Sequence, residues 1–190
     1  MIQIQWWPPV GVAAMILLGL AVGPSSTPLD DWFHQFEDSP VRHLAVLTNP
    51  LILVVLGLSV VGAALYRRWW RFAAVAVVFP LAAYLFVQVI KPLFGRNKGG
   101  GLAYPSGHLT TTTILVGLFV LVAGGALWAV LIAVGYVALA MVGVGVTFHY
   151  FTDTIGGVLL GTSIVCIAAL VARRDLTRVN PAAIYVTGDD

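Results

Sequence analysis

Six long apolar runs divide this chain, and they restrict its possible folds more than any other feature. They cover residues 6–23, 44–66, 71–90, 109–124, 127–147 and 154–172. Apart from Arg71 at the first position of the third run, none of them contains Lys, Arg, Asp or Glu. About 20 consecutive apolar residues form a helix that crosses the hydrocarbon core of a bilayer, where the backbone must satisfy its own hydrogen bonds. The pattern therefore predicts six transmembrane helices.

The composition agrees with this interpretation. Only 9% of the 190 residues are charged, against about 25% in ordinary soluble domains. We expect an all-α, polytopic membrane bundle of six helices that forms a single domain over residues 1–190. A short amphipathic helix is expected in the first outer loop, because Trp32, Phe33 and Phe36 recur there at helical spacing.

Basic residues predict the orientation, because short loops rich in Lys and Arg remain cytoplasmic. Two basic clusters separate the second and third runs and follow the sixth: Arg67, Arg68 and Arg71, and Arg173, Arg174 and Arg178. With six crossings, both clusters lie on one side. We therefore expect an integral protein of a bacterial plasma membrane with a cytoplasmic tail at 172–190. The loops 24–43, 91–108 and 148–153 then share the extracytoplasmic face.

Two classes of function find no support in the sequence. The net charge is +2 and no basic stripe is present, so we expect membrane lipids as partners and no nucleic acid. Cys166 is the only cysteine, which leaves no disulfide framework and no thiolate metal site.

Polar and titratable residues of the outer face gather at three places. These are KPLFGRNK at 91–98, YPSGH at 104–108 and HYFTD at 149–153. They are far apart in the sequence, but the predicted topology places all three at one membrane depth on one face. Polar groups beside lipid are costly, so a cluster of them favours a functional site.

The third stretch contains a candidate nucleophile. His149 and Asp153 are four residues apart at the start of a predicted helix, so their side chains share a face. A carboxylate that accepts the Nδ1 proton leaves the Nε2 lone pair of the imidazole free to act as a nucleophile or base. Two histidines and one aspartate could also bind a metal ion. The neighbouring cations argue against a metal, because they would repel it.

The other two stretches are suited to an anion. The turn Pro105-Ser106-Gly107 precedes a predicted helix, whose first N–H groups, with the Ser106 hydroxyl, can cradle a phosphate. Lys91, Arg96 and Lys98 supply positive charge. His108 is then placed to protonate a leaving oxygen.

Together the three stretches resemble the signature of the type-2 phosphatidic acid phosphatase superfamily, the integral-membrane lipid phosphate phosphatases. That signature reads K-x6-R-P, then P-S-G-H, then S-R-x5-H-x3-D, and the match runs from Lys91 to Asp153. The resemblance implies a six-span enzyme without metal or other cofactor. It also implies that His149 takes the phosphoryl group as phosphohistidine, that Asp153 orients His149 and that His108 is the general acid. Lys91, Ser106 and Gly107 would bind the phosphate.

The sequence departs from the signature at two places. Lys98 and Gly99 stand where the family has Arg-Pro, and Val142 and Gly143 stand where it has Ser-Arg. We expect Arg96 to supply the missing positive charge, with Lys98 assisting. If Arg96 is lost, we expect Gly143→Arg to restore part of the rate, provided that the helix tolerates the bulk.

The predicted function is a metal-independent phosphatase that acts at the outer membrane face. Its candidate substrates are a polyprenyl phosphate or diphosphate, phosphatidylglycerol phosphate and phosphatidate. The alternative is a catalytically weak member of the family that binds or transports a lipid phosphate. The Gly157-x-x-x-Gly161 pattern permits a homo-oligomer, although packing within the bundle is favoured. Packing is also favoured for the threonines at 110–113.

Overall fold

The chain is almost entirely helical in the computed structural model, which describes residues 5–177. The elements are α1 (Trp7–Val22), α2 (Pro28–His34), a 3-10 segment (Pro40–Thr48), α3 (Pro50–Tyr66), α4 (Trp70–Phe94), β1 (Asn97–Lys98), β2 (Gly101–Leu102), α5 (Gly107–Val122), α6 (Leu127–Thr147), α7 (Phe151–Val171) and α8 (Arg173–Leu176). The two short strands form an antiparallel hairpin that the sequence analysis did not anticipate. Gly99 and Gly100, at its turn, both have positive φ, as a two-residue hairpin loop requires.

Three helices are long and apolar enough to cross a membrane: α4, α6 and α7. A fourth candidate is the 3-10 segment together with α3, which are bent by 41° relative to each other. Helices α1 and α5 are apolar but only 16 residues long. The helices are therefore compatible with an integral membrane protein of three or four evident spans, and six crossings remain a prediction.

The second apolar run, 44–66, is not one continuous helix, although it belongs to the bent candidate span formed by the 3-10 segment and α3. Helix α3 begins at Pro50, and the Asn49 side chain accepts a hydrogen bond from the Leu51 N–H at 2.9 Å. A proline disfavours helical backbone in the residue before it but fits the first position of a helix. Residues 44–48 consequently belong to the 3-10 segment.

The expected short helix of the first loop is present as α2. Thr27 and Asp30 form a capping box at its start, an arrangement that satisfies N–H groups the helix itself leaves free. Phe33 stacks on Phe151 with ring centroids 3.7 Å apart, whereas Trp32 is exposed. Helix α2 is thus attached to the start of α7, and its location on a membrane surface remains a prediction.

Helices α5 and α7 pack closely through the two glycines of the G-x-x-x-G pattern. A Cβ on Gly157 would lie 2.6 Å from the Ser106 carbonyl oxygen, and one on Gly161 would lie 2.7 Å from Thr113 Cβ. Small residues allow helix backbones to approach in this way. The pattern is used within the chain, as the sequence favoured, and this packing sets the relative position of the two helix starts.

The threonines of α5 also serve packing. The Thr110 hydroxyl donates to the Ser106 carbonyl oxygen at 2.9 Å, and Thr112 and Thr113 are buried. Buried hydroxyls commonly bond back to the helix backbone or face a neighbouring helix.

The two basic clusters lie at the same end of the bundle. Arg67 donates to the Val122 carbonyl oxygen at the end of α5 at 2.6 Å. The Phe72 N–H at the start of α4 donates to Asp175 in α8 at 3.1 Å. Arg178 and the rest of the predicted tail, residues 178–190, lie outside the described residues. The end that carries Arg67 and α8 is the one expected to face the cytoplasm.

Gly157→Ala should lower the thermal stability of the protein. Its Cβ would contact backbone of α5, and overpacking of this kind costs roughly 1–3 kcal/mol. Gly135→Ala is the matched control, because a Cβ at this glycine of α6 meets nothing within 4 Å, and alanine favours a helix over glycine by about 1 kcal/mol. Thermal unfolding in detergent micelles, followed by circular dichroism, measures both. Equal unfolding temperatures for the two variants would contradict the packing described here.

Candidate active site

The three predicted stretches meet at the end of the bundle opposite α8. The Ser106 N–H donates to the Asp153 carbonyl oxygen at 3.0 Å. Lys98 Nζ donates to the His149 carbonyl oxygen at 2.8 Å. His108 Nδ1 and His149 Nε2 are 3.4 Å apart. The loop after α4, the start of α5 and the start of α7 thus form one site.

His149 lies just before α7 and is buried. Its Nδ1 faces Asp153 Oδ2 at 3.7 Å, a distance longer than a hydrogen bond. The Asp153 Oδ2 atom accepts the Tyr150 N–H at 3.0 Å, so the carboxylate also caps α7. His149 Nδ1 and Asp153 Oδ2 thus face each other, as the spacing predicts, without a hydrogen bond between them. A shift of either side chain by less than about 1 Å would bring the two atoms within hydrogen-bond distance.

His108, in the first turn of α5, is exposed and stacks on Phe148 with ring centroids 5.5 Å apart. A phosphoryl group that reaches His149 Nε2 must displace the His108 ring, because 3.4 Å between the two nitrogens leaves no room for it. An exposed imidazole can rotate to admit it. No group of three or more His, Cys, Asp or Glu side chains within residues 5–177 is arranged to hold a metal ion.

The first turn of α5 is the place where the sequence analysis predicts an anion cradle. Ser106 is the N-cap, and its Oγ accepts the Leu109 N–H at 3.4 Å. Within residues 5–177, neither the Gly107 nor the His108 N–H has a protein acceptor. These two donors and the partial positive charge of the helix start are available to an anion.

The two lysines border this cradle, and each currently binds a backbone carbonyl. Lys91 Nζ donates to the Leu102 carbonyl oxygen at 2.9 Å, and Lys98 Nζ lies 5.2 Å from the centre of the Tyr150 ring. Burial lowers the pKa of Lys98, while the negative charges of Glu37, Asp153 and Asp30 oppose this shift.

Arg96, which was expected among the phosphate ligands, directs its two terminal nitrogens into the protein. Nη1 donates to Thr152 Oγ1 at 2.9 Å and Nη2 donates to Asp30 Oδ2 at 2.6 Å. Nε lies 3.5 Å from Asp153 Oδ1, and the guanidinium carbon lies 4.5 Å from the centre of the Tyr150 ring. The side chain is 1% exposed. Arg96 is therefore tied to two carboxylates, one of them the predicted orienting group of the site.

Asp30 is the site residue that the sequence analysis missed. It is 2% exposed, and its oxygens accept hydrogen bonds from Thr27 and Arg96 and from both the N–H and the hydroxyl of Thr152. Burial alone would raise the pKa of the Asp30 carboxyl, but the hydrogen bonds from Thr152 and Thr27 lower it below its ordinary value. The sequence Thr27-Pro28-Leu29-Asp30 indicates a capping box, but nothing in it indicates a partner 66 residues away.

Gly143, the position aligned with the family arginine, is buried against the backbone of the 3-10 segment. A Cβ there would lie 2.8 Å from Leu44 Cβ and still closer to backbone atoms of Leu44 and Ala45. Real side chains do not tolerate such distances. The condition attached to Gly143→Arg, that the helix tolerates the bulk, is therefore not met in this packing, because the residue has no room for a side chain.

A cleft of about 630 Å³ lies beside the site. It is bounded by α2, the hairpin and the turn between α6 and α7. Its lining residues are Ser26, Asp30, Asp31, His34, Glu37, Lys98, Gly99, Thr147, Phe148 and Tyr150. The cleft reaches the site through Lys98 and Tyr150.

Comparison of the chain with protein-family models, curated proteins and solved structures finds no significant match. The resemblance to lipid phosphate phosphatases rests on the three motifs.

Asp30→Asn should remove part of the pH dependence of stability. Because the pKa of Asp30 is lowered in the folded protein, its ionised form stabilises the fold above the unfolded pKa of about 3.9, and this stabilisation is lost as pH falls towards the lower folded value. Between roughly pH 6 and pH 3, the unfolding temperature of the wild type should fall more steeply than that of Asp30→Asn. Asp31→Asn, at the exposed neighbour, should keep the wild-type slope. Parallel curves for all three proteins would show that Asp30 carries no such stabilisation.

Proposed function

We propose that the protein is a membrane phosphatase that removes phosphate from a lipid phosphate through a phosphohistidine intermediate. The observation that carries the proposal is the pair of imidazoles, His108 and His149, which face each other at 3.4 Å with the Asp153 carboxylate behind His149. A nucleophile, its orienting carboxylate and a second imidazole are the groups that transfer to nitrogen requires.

The proposed reaction has two steps. Nε2 of His149 attacks the phosphorus, the bond from phosphorus to the lipid oxygen breaks, and His108 gives its proton to that oxygen. A water molecule then attacks the phosphohistidine and gives a proton back to His108. The phosphorus–nitrogen bond breaks, and inorganic phosphate leaves. Asp153 holds the Nδ1 proton of His149 throughout and stabilises the positive charge that develops on the ring.

In this mechanism the phosphate is bound by the start of α5 and the two lysines. The free N–H groups of Gly107 and His108 point to the anion, and the Ser106 hydroxyl can donate to it. Lys91 and Lys98 exchange their present carbonyl partners for phosphate oxygens. Charge on a transferring phosphoryl group is spread over its equatorial oxygens, so fixed cations at this place lower the barrier.

The proposed substrates are a polyprenyl phosphate or diphosphate, phosphatidylglycerol phosphate and phosphatidate. The support for this class is the location of the site at the end of a bundle of apolar helices, where a lipid can present its head group. The cleft of about 630 Å³ beside Lys98 offers space for the part of a head group beyond the transferred phosphate.

We further propose six crossings of a bacterial plasma membrane, with the site on the extracytoplasmic face. Helices α1 and α5 have 16 residues and so extend about 24 Å, short of the roughly 30 Å of an average hydrocarbon core. Short spans are accommodated by local thinning of the bilayer and by flanking residues. The packing of α1 and α5 on α7, itself a candidate span, supports their location at the same depth.

His149→Gln should abolish phosphate release, because no other described side chain faces Asp153 as an imidazole nucleophile. The assay is release of inorganic phosphate from the proposed lipids in detergent micelles, together with trapping of acid-labile phosphate on the protein. His43→Gln is the control, because His43 is an exposed residue of the 3-10 segment, outside the three stretches of the site. Wild-type turnover by His149→Gln would contradict the mechanism, and a loss of activity in EDTA that Mg²⁺ or Zn²⁺ restores would contradict its independence of metal.

The proposed topology is tested by thiol labelling in intact cells. In a Cys166→Ser background, Asp38→Cys in the first loop should react with an impermeant maleimide. Arg174→Cys in α8 should react only after the cells are permeabilised. Both positions are exposed, so reactivity reports the side of the membrane. The opposite pattern would place the site in the cytoplasm.

One observation favours the alternative of a lipid-phosphate binding protein with weak catalysis. Each basic side chain expected at the site is already bound to protein, and Gly143 leaves no room for a further cation. Tight binding of a lipid phosphate without measurable release of phosphate by the wild type would favour this alternative.

A further inference from the structure

We infer that Asp30 and Arg96 are positioning residues that hold the Asp153 carboxylate in place for His149 and do not contact the phosphate. The inference rests on the proposed function, because it assigns a role within the same site. Arg96 lies in the first stretch but is not a fixed position of the signature, and Asp30 lies in α2, outside all three stretches.

The Asp153 carboxylate is held from two directions. Oδ2 accepts the Tyr150 N–H at 3.0 Å and also faces His149 Nδ1 at 3.7 Å. Oδ1 lies 3.5 Å from Arg96 Nε, an ion pair that is not a hydrogen bond, and accepts no hydrogen bond from the described protein. The Tyr150 N–H and the charge of Arg96 therefore act on opposite oxygens of the carboxylate. Together they set its rotation about the Cβ–Cγ bond, and this rotation sets how Oδ2 faces the imidazole.

Arg96 is in turn held by Asp30 and Thr152. Its two terminal nitrogens each donate a short hydrogen bond, to Asp30 Oδ2 and to Thr152 Oγ1. Asp30 also accepts the Thr152 N–H at 2.9 Å, so the first turn of α7 is bound to both partners. A planar guanidinium has one orientation when both of its terminal nitrogens are hydrogen-bonded. In this orientation, Nε of Arg96 faces Asp153 Oδ1.

The charges favour this arrangement. Asp30 and Asp153 are both buried and lie on either side of the buried Arg96 guanidinium. A buried charge is costly unless an opposite charge pairs with it. The exchange of these bonds for a phosphate would leave Asp30 unpaired, so Arg96 is not available as a phosphate ligand.

The consequence concerns the tautomer of His149. An ionised Asp153 that faces Nδ1 favours the tautomer with its proton on Nδ1, which leaves the Nε2 lone pair for attack on phosphorus. Displacement of the carboxylate allows the proton to move to Nε2, where it blocks attack. Asp30 and Arg96 thus act on the reaction through Asp153.

The test is the tautomer of His149, measured by nitrogen NMR on full-length protein with ¹⁵N-labelled histidine in detergent micelles and assigned with His149→Gln. Arg96→Lys keeps the charge but cannot bridge three partners, and Asp30→Asn removes the anion that fixes the guanidinium. Both should lower the Nδ1–H population of His149. Asp31→Asn, at the exposed neighbour in α2, should leave it at the wild-type value. Unfolding temperatures identify any variant that fails to fold, and either folded variant suffices.

Kinetics on the best lipid substrate provide the second readout. The turnover number should fall roughly tenfold to a hundredfold in both variants, the scale of a misplaced catalytic group, while KM and inhibition by inorganic phosphate change little. The double variant Asp30→Asn/Arg96→Lys should lose no more than the worse single variant, since the two residues act as one unit.

The outcomes separate the inference from the proposed function. An unchanged His149 tautomer in both folded variants would overturn the inference, and so would unchanged turnover with weaker inhibition by phosphate, which is the result expected of a phosphate ligand. If the wild type releases phosphate from none of the lipids, the proposed function fails, and the NMR measurement still decides whether Asp30 and Arg96 position Asp153.

Discussion

A single buried arginine connects the parts of this molecule that form the candidate site. Arg96 joins α2, through Asp30, to the start of α7, through Thr152 and Asp153. These segments are far apart in the sequence, and the stacking of Phe33 on Phe151 joins the same two helices beside the arginine. A buried ion pair gains little net stability over an apolar substitute, but loss of one partner costs about 3–5 kcal/mol because the other charge is left unpaired. The arrangement therefore specifies one geometry and penalises others.

The second constraint is the close packing of α5 on α7. His108 is in the first turn of α5 and His149 immediately precedes α7, so the distance between the imidazoles depends on how near the two helices come. Gly157 and Gly161 permit an approach that any larger residue would prevent. The glycines, which have no chemistry of their own, thus set the separation of the proposed nucleophile, His149, and the proposed proton donor, His108.

Much of the helical framework could be predicted because it is written in local patterns. The expected run at 127–147 coincides with α6, and the three motifs converge as the predicted topology requires. The predictions failed where the decisive contact is distant in the sequence. In the sequence, Asp30 looks like an ordinary polar residue of a loop. Its hydrogen bond with Arg96 forms only because α2 packs on α7. Asn49 and Pro50 are a local signal for the start of a helix. The prediction did not use this signal, because the apolar run continues on both sides of it.

The contact between Gly143 and the 3-10 segment also limits how this site could change. An arginine at that position would clash with the backbone of Leu44 and Ala45, so it is excluded until that segment moves away. Movement of the segment alone would expose an apolar face of α6 and gain no cation. The two changes are useful only together, which makes the family's arrangement of charges hard to reach from this sequence by single substitutions. In this packing, the arginine beside Asp153 is Arg96, which comes from the loop after α4.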